Sequence, residues 1–186
     1  MDALQALTSR VSATGLTAPA PDEAALEKLL KAATRAADHG RLKPWRFVII
    51  REPQREAFGQ LLAEALKRRR PDAEEGMLKA EAGKPMRAPM IIVVAAHLEE
   101  SGKIPEIEQV LAVGAAAQNM MIAAYAMGLG AMWRTGDSAY DPYVKEKLGL
   151  SARDSIVGYI YLGTPARALP TPPDSDLATV AQDWRG

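Results

Sequence analysis

The sequence predicts one domain of mixed helices and strands, with five or six helices and four strands. Two observations lead to this prediction. Apolar residues recur at helical spacing in several segments, whereas four other segments are short apolar runs of the kind found in strands. A chain of 186 residues, 48% of them hydrophobic, is long enough to bury a large core within a single domain.

Capping signals mark the ends of several predicted helices. Asp22 is the predicted N-cap of the second helix, and Gly128 follows the longest one, where glycine is favoured. Pro142 can open the last helix because proline is tolerated in the first helical turn. The predicted helices span about residues 2–10, 22–37, 58–70, 106–127 and 142–148, with a further short helix between 72 and 87.

The predicted strands span residues 45–51, 89–96, 129–134 and 155–162. The second of these is apolar without interruption, which is typical of a strand buried on both faces. Prolines then punctuate an extended tail over residues 164–186, with no helix expected before Asp174. No repeat or linker divides the chain, so residues 1–186 are predicted to be a single domain that carries this tail.

Charge and composition exclude several classes of function. Basic and acidic residues both number 23, so net charge gives no general attraction to nucleic acid or to an anionic membrane. The absence of cysteine removes thiolate nucleophiles and iron–sulfur clusters, and two histidines are too few for a three-histidine zinc site. The N-terminus does not resemble a signal peptide and no apolar run could span a bilayer, so the predicted location is cytoplasmic.

Motifs for nucleotide binding and for hydrolysis are missing from the sequence. The nearest match to a dinucleotide fingerprint, at residues 128–130, follows a helix and has no third glycine. There is also no P-loop and no nucleophile elbow. An enzyme so poor in catalytic groups often relies on the chemistry of a cofactor.

Three segments carry residues that could hold such a cofactor. An arginine beside a hydroxyl can grip a phosphate, a loop histidine can donate to a polar ligand, and ligands often collect at strand ends. Each segment also has a purely structural interpretation: a surface arginine at a helix end, an exposed loop histidine, and an arginine covering the core helix. The three segments are Arg10, Val11 and Ser12; Arg35 with His39; and Trp133, Arg134 and Thr135.

Five blocks of sequence, in this order, resemble the flavin-dependent nitroreductase family over residues 1–167. The blocks are MDALQALTSRVS, RAADHGRLKPWRFVII, MRAPMIIVVAA, AMGLGAMWRTGDSAYDP and SIVGYIYLGTP. The resemblance implies an α+β, nitroreductase-like fold, with a mixed, mainly antiparallel sheet flanked by helices. It also implies a homodimer that binds FMN in two pockets between the subunits, with the C-terminal tail wrapping over the partner.

The same resemblance implies roles for the three segments. Arg10, Val11 and Ser12 would contact the phosphate and ribityl end of FMN, while Arg35, His39, Trp133, Arg134 and Thr135 would contact the flavin elsewhere. The flavin would carry electrons from NAD(P)H to a nitroaromatic or quinone-like acceptor by a ping-pong mechanism, with no catalytic side chain and no metal. Val11 stands where the family has a second arginine, and losing one charge-assisted contact of about 1.5–3 kcal/mol would weaken FMN binding.

Two other functions remain open from the sequence. A flavin reservoir or sensor with little turnover is favoured by the altered segment at Val11. Nucleic-acid binding would rest on the basic run Lys67–Arg70, which is more typical of a solvated helix end that complements the helix dipole. The prediction is therefore a flavin enzyme without a nucleic-acid or membrane partner.

Overall fold

The computed structural model describes residues 1–100 and 103–186, which form six α-helices and a five-stranded sheet. The helices are α1 (Ala3–Ser9), α2 (Glu23–Ala33), α3 (Gln54–Arg69), α4 (Glu75–Ala82), α5 (Glu106–Ala126) and α6 (Pro142–Lys147). The strands are β1 (Leu16–Thr17), β2 (Trp45–Ile50), β3 (Met90–Ala96), β4 (Gly130–Arg134) and β5 (Ser155–Pro165). The predicted α+β class is confirmed.

The sheet is organised around β5, which pairs with three other strands. β3 and β4 both lie antiparallel to β5, β2 lies antiparallel to β3, and β1 pairs with the last two residues of β5. Each of these described pairs is antiparallel, which agrees with the mainly antiparallel sheet that the family resemblance implied. The arrangement leaves β1, β2 and β4 with one partner strand each, so β4 forms an edge of the sheet.

Helices cover both faces of the sheet and create two cores. On one face α2 and α5 pack on the sheet, with Met120 of α5 near Ile92 and Ile160 in the same cluster. On the other face α3 and α6 pack over a second cluster that contains Ile91 and Tyr159. Neighbouring residues of β3 therefore enter opposite cores because side chains alternate along a strand, and all seven residues of β3 are buried as predicted.

Several element boundaries differ from the sequence prediction. The two-residue strand β1 was not predicted, because two residues are too few for an alternating pattern. Its pairing of Leu16 with Pro165 and of Thr17 with Thr164 extends β5 beyond Leu162, into residues expected to belong to the tail. α2 ends at Ala33 rather than near residue 37, and α3 begins at Gln54, earlier than its first apolar residue suggested.

A buried carboxylate, Asp154, ties together the loops at one end of the sheet. It accepts hydrogen bonds from Nδ1 of His97 at 2.9 Å, from the backbone N–H of Ser151 at 2.9 Å and from Oγ of Ser151 at 2.7 Å. Burial of Asp154 by itself raises its pKa, but the hydrogen bonds from Ser151 and His97 outweigh that effect and lower the pKa below its ordinary value.

We expect this carboxylate to make the stability of the fold depend on pH. A lowered native pKa means that Asp154 contributes its full stability above the unfolded pKa of about 4, and that this contribution is lost as the pH falls through the native pKa. Thermal melts of the wild type and of Asp154→Asn between about pH 3 and pH 7 test this. The gap between the two melting temperatures should shrink as the pH falls; a constant gap would contradict the prediction.

Candidate functional site

A cavity of about 310 Å³ lies at the β4 edge of the sheet. It contains Trp133, Arg134 and Thr135, the third segment singled out in the sequence. Around them stand six residues from α3, β5 and the loops before β3 and after β4: Leu62, Lys84, Arg87, Ser138, Tyr159 and Tyr161. The cavity is open because β4 is an edge strand: among the described residues, β5 is the one strand paired with it, and no strand covers its other side.

Three cations, Lys84, Arg87 and Arg134, line this cavity. The guanidinium carbon of Arg134 lies 5.8 Å from the centre of the Tyr161 ring, within the range of a cation–π contact. Lys84 forms an ion pair with Glu81 at 2.6 Å. One carboxylate against three cations leaves the cavity positively charged, so it suits a group that carries or develops negative charge.

Two buried phenols add uncharged hydrogen-bonding groups to the cavity wall. Burial raises the pKa of Tyr159 to about 12. Burial also raises the pKa of Tyr161, although the charges of Arg134 and Arg87 act in the opposite direction. Both phenols therefore remain protonated at neutral pH and add no negative charge that would offset the three cations.

The indole of Trp133 is held against the backbone of β5. Its Nε1–H donates to the carbonyl of Val157 at 3.3 Å, and the ring covers Gly158. A Cβ atom built at Gly158 would lie only 2.1 Å from Nε1 of Trp133, so the close approach requires glycine at this position. Trp133 is thus a flat, positioned surface beside the three cations.

The first predicted segment, residues 10–12, lies directly after α1 and close to β4. The backbone N–H of Ala13 donates to the carbonyl of Ala131 at 2.9 Å, which places the segment beside the strand that carries Trp133. Arg10 has a buried Nη1 without a hydrogen-bond partner among the described residues. Val11 is half-buried, and the exposed Ser12 lines a second cavity of about 110 Å³.

The second predicted segment, Arg35 with His39, does not line the cavity at β4. Arg35 is exposed beyond the end of α2, and His39 is exposed in a short 3₁₀ turn. Nδ1 of His39 contacts the carboxylate of Glu108, near the start of α5. In the described part of a single chain, the cavity at β4 therefore contains the third segment only. The first segment lies against Ala131 of the same strand and lines a separate cavity, and Arg35 and His39 line neither.

Sequence reasoning missed several residues of the cavity. Lys84 and Arg87 fall in a stretch that was interpreted as a surface loop, and nothing local showed that it turns back toward β4. Tyr159 and Tyr161 did carry a usable signal, because residues two apart on a strand face the same side. Arg167, which joins Ser12 at the second cavity, was hidden in the predicted tail.

The basic run Lys67–Arg70 is occupied by contacts within the chain. Lys67 donates to the carbonyl of Ala73, and Arg70 lies 3.9 Å from Asp72. The other two residues contact α6 or its N-cap: Arg68 lies over the Tyr143 ring, and Arg69 pairs with the buried Asp141. Arg68 also pairs with Glu64 within α3. Each of the four basic residues therefore has a structural contact within the chain.

Two other kinds of feature are missing from the described parts of the chain. Residues 1–100 and 103–186 contain no cluster of three or more histidine, cysteine or acidic side chains placed to bind a metal ion. No helix in the same ranges has the length and apolarity needed to cross a membrane.

Comparison with known proteins places this chain in a recognised family. The model of the nitroreductase family matches residues 7–164. YdjA of Escherichia coli K12, which is named for an inferred NAD(P)H nitroreductase activity, is 41% identical over 165 residues, or 89% of each chain.

Solved structures agree with this match. A nitroreductase-like family protein from Bacillus cereus superposes with a TM-score of 0.82 at 23% identity, covering 100% of this chain and 97% of the other. A nitroreductase-type protein from Desulfovibrio desulfuricans, solved in complex with FMN, has a TM-score of 0.73 at 26% identity and covers 98% and 97%. This chain therefore belongs to the nitroreductase family.

Proposed function

We propose that the protein is an FMN-dependent oxidoreductase that carries electrons from NAD(P)H to nitroaromatic or quinone-like acceptors. The observation that carries the proposal is the cavity that Lys84, Arg87 and Arg134 line together with a positioned tryptophan. Two relatives support the proposal: the Desulfovibrio protein was solved in complex with FMN, and YdjA is named as an NAD(P)H nitroreductase.

The residues present fit FMN at both ends of that molecule. Trp133, Arg134 and Thr135 would hold the planar ring, and Lys84 and Arg87 would add positive charge in the same cavity. Arg10 and Ser12 would hold the phosphate, which suits a buried guanidinium nitrogen that lacks a partner among the described residues. When bound, FMN would supply the hydride and electron transfer that no side chain here can perform.

The side chains of the cavity would act by electrostatics and by positioning. Fixed cations stabilise negative charge that develops beside them, and they do so without reorganising during the reaction. Arg134 is suited to this task because its guanidinium lies within cation–π distance of the Tyr161 ring, and Tyr161 stays uncharged at neutral pH. Electron donor and acceptor would use the same open side of the cavity in turn, which is the basis for a ping-pong scheme.

We also propose that the chain works as a homodimer whose tail lies over the partner. α1 exposes Leu4 and Leu7, and α5 exposes Ile107 and Leu111, each between 54% and 74%. Trp184 in the tail is 91% exposed. Exposed apolar faces of this kind are typical of an interface, and a partner could bring Arg35 and His39 to the cavity that they do not reach within one chain.

The test is FMN uptake followed by reduction. The purified, desalted protein should retain flavin absorbance at about one equivalent per chain after incubation with FMN, and NADPH or NADH should bleach that absorbance in a stopped-flow experiment. Protein that stays colourless at high FMN concentration would overturn the proposal. Protein that binds FMN but is not reduced at a useful rate would instead be a flavin reservoir.

The kinetic scheme and the oligomeric state have separate readouts. Steady-state rates at several acceptor concentrations should give parallel double-reciprocal lines, as ping-pong turnover requires, whereas intersecting lines would indicate a ternary complex. The mass of the particle in solution, measured by light scattering, should be about twice 20.0 kDa. A monomer that is fully active would contradict the homodimer.

A further inference from the structure

We propose that two hydroxyls of the cavity at β4, those of Tyr159 and Ser138, bind a carboxylate group on the electron acceptor. The protein would then favour aromatic acceptors that carry a carboxylate over neutral acceptors of the same shape. This inference rests on the proposed function and narrows the class of acceptor that it names. It starts from the hydroxyl of Tyr159, which is buried and has no hydrogen-bond partner among residues 1–100 and 103–186.

The side chain of Tyr159 is fixed in the second core while it also lines the cavity. Its ring lies edge-on to the ring of Phe58, with 5.9 Å between the two centroids, and the residue is only 3% exposed. A ring packed in this way cannot turn outward to bring its hydroxyl to water. Because an unpaired buried hydroxyl is costly, a ligand that accepts from it at the cavity gains that free energy on binding.

The hydroxyl of Tyr159 is a donor at neutral pH. Burial raises the pKa of Tyr159 to about 12, although the Ser138 hydroxyl beside it acts in the opposite direction. Ser138 is itself buried and lines the same cavity. The two hydroxyls therefore place two O–H donors close together, and a carboxylate oxygen can accept from both.

The charge around these hydroxyls favours an anion. Two carboxylates act on Tyr159, those of Glu81 and Asp141, and each is already paired with a cation of its own. In the ranges that the structure describes, no carboxylate pairs with Arg87 or Arg134, which line the cavity. Two positive charges are therefore left for the ligand to balance, and hydrogen bonds to a charged acceptor are the stronger kind.

The rest of the lining suits the flat body of an aromatic acceptor. Trp133 is held on β5 by its hydrogen bond to Val157, and Tyr161 and Leu62 add further apolar surface to the same cavity. A neutral amide of the same shape could occupy this space, but it would leave the two guanidinium charges unbalanced. The difference between the two kinds of acceptor is therefore one of charge and not of size.

The test compares 4-nitrobenzoate with 4-nitrobenzamide, which has nearly the same shape but no charge. Values of kcat/KM for both acceptors are measured with NADPH and the FMN-loaded protein. The Tyr159→Phe variant removes only the hydroxyl, and we expect it to lower the benzoate-to-benzamide ratio of kcat/KM about tenfold. Taking the ratio for each variant cancels the difference in intrinsic reactivity between the acceptors. Tyr140→Phe, at a tyrosine that is 78% exposed, is the matched control and should keep the wild-type ratio.

Direct binding gives a readout that needs no turnover. In isothermal titrations benzoate should bind the wild type more tightly than benzamide does, and Tyr159→Phe should remove most of that difference. The variant should also melt at or above the wild-type temperature, because it removes an unpaired buried hydroxyl. A lower melting temperature would show that the hydroxyl has a partner within the fold, and it would overturn the inference.

Three further results would also overturn it. They are an unchanged benzoate-to-benzamide ratio in Tyr159→Phe, an equal loss for both acceptors, and weaker FMN binding with the acceptor preference kept, which would make the hydroxyl a contact of the cofactor. A wild type that takes up no FMN would instead overturn the proposed function. Benzoate titrated into that flavin-free protein would still decide whether the two hydroxyls bind a carboxylate.

Discussion

Replacing Gly158 by alanine is expected to destabilise the fold by about 1–3 kcal/mol and to weaken FMN binding. The added Cβ would lie 2.1 Å from Nε1 and 2.6 Å from Cδ1 of Trp133, and 3.1 Å from the carbonyl oxygen of Arg134. The indole must therefore move, which breaks its hydrogen bond to Val157, or β4 must separate from β5. Either movement disturbs the edge of the sheet that carries the cavity.

Urea denaturation at a fixed protein concentration gives the change in stability, and FMN titration gives the change in affinity. Gly76→Ala in α4 is a suitable control, because a Cβ there meets nothing within 4 Å. Alanine favours a helix by up to about 1 kcal/mol over glycine, so the control should be neutral or slightly stabilising. If Gly158→Ala were as stable as the control and bound FMN normally, Trp133 would not be positioned as described.

Replacing Arg134 by glutamine is expected to slow the reduction of bound FMN by NADPH about 100-fold. Glutamine keeps hydrogen-bonding capacity but removes the fixed positive charge beside the ring. That charge matters most when negative charge develops during electron transfer, so the rate of reduction should fall more than the affinity for FMN. Stopped-flow bleaching of the flavin at saturating FMN and NADPH measures the rate.

Arg134→Lys is the matched variant because it retains the charge, and its rate should lie between those of the wild type and of Arg134→Gln. It should not match the wild type, since the ammonium of lysine cannot reproduce the planar fork of donors that the guanidinium presents near the Tyr161 ring. Equal rates for the wild type and Arg134→Gln would contradict this role. The role would then pass to Lys84 or Arg87, whose variants can be measured in the same way.

The main elements of the fold could be predicted from the sequence because their signals are local. The N-cap at Asp22 is seen as a side chain that accepts from the backbone N–H of Ala25 at 2.8 Å, and Gly128 does adopt a left-handed backbone after α5. The continuous apolar run of β3 also predicted its burial correctly. The strand β1 had no such signal, because its two residues are extended only by their pairing with β5.

The candidate site could be predicted only in part. Trp133, Arg134 and Thr135 were identified because a short strand ending in an arginine and a hydroxyl is visible in the sequence, and they do line the cavity. Lys84 and Arg87 were not, since their side chains reach the cavity only after the chain turns from α4 into β3. The roles of all three segments toward a flavin stay predictions: Arg10, Val11 and Ser12; Arg35 and His39; and Trp133, Arg134 and Thr135.

The sequence by itself excluded thiolate and iron–sulfur chemistry, and it predicted most of the helices and strands and the family. Composition, periodicity and motifs can all be read from the order of residues without knowing which distant residues meet. The tertiary structure alone decided which charges share a space. It brought Lys84 to Arg134 through the turn between α4 and β3, and it brought Arg167 to Ser12 through the pairing of β1 with β5. The physical reason is that strand register and sheet order depend on contacts between residues far apart in the chain, which no local pattern records.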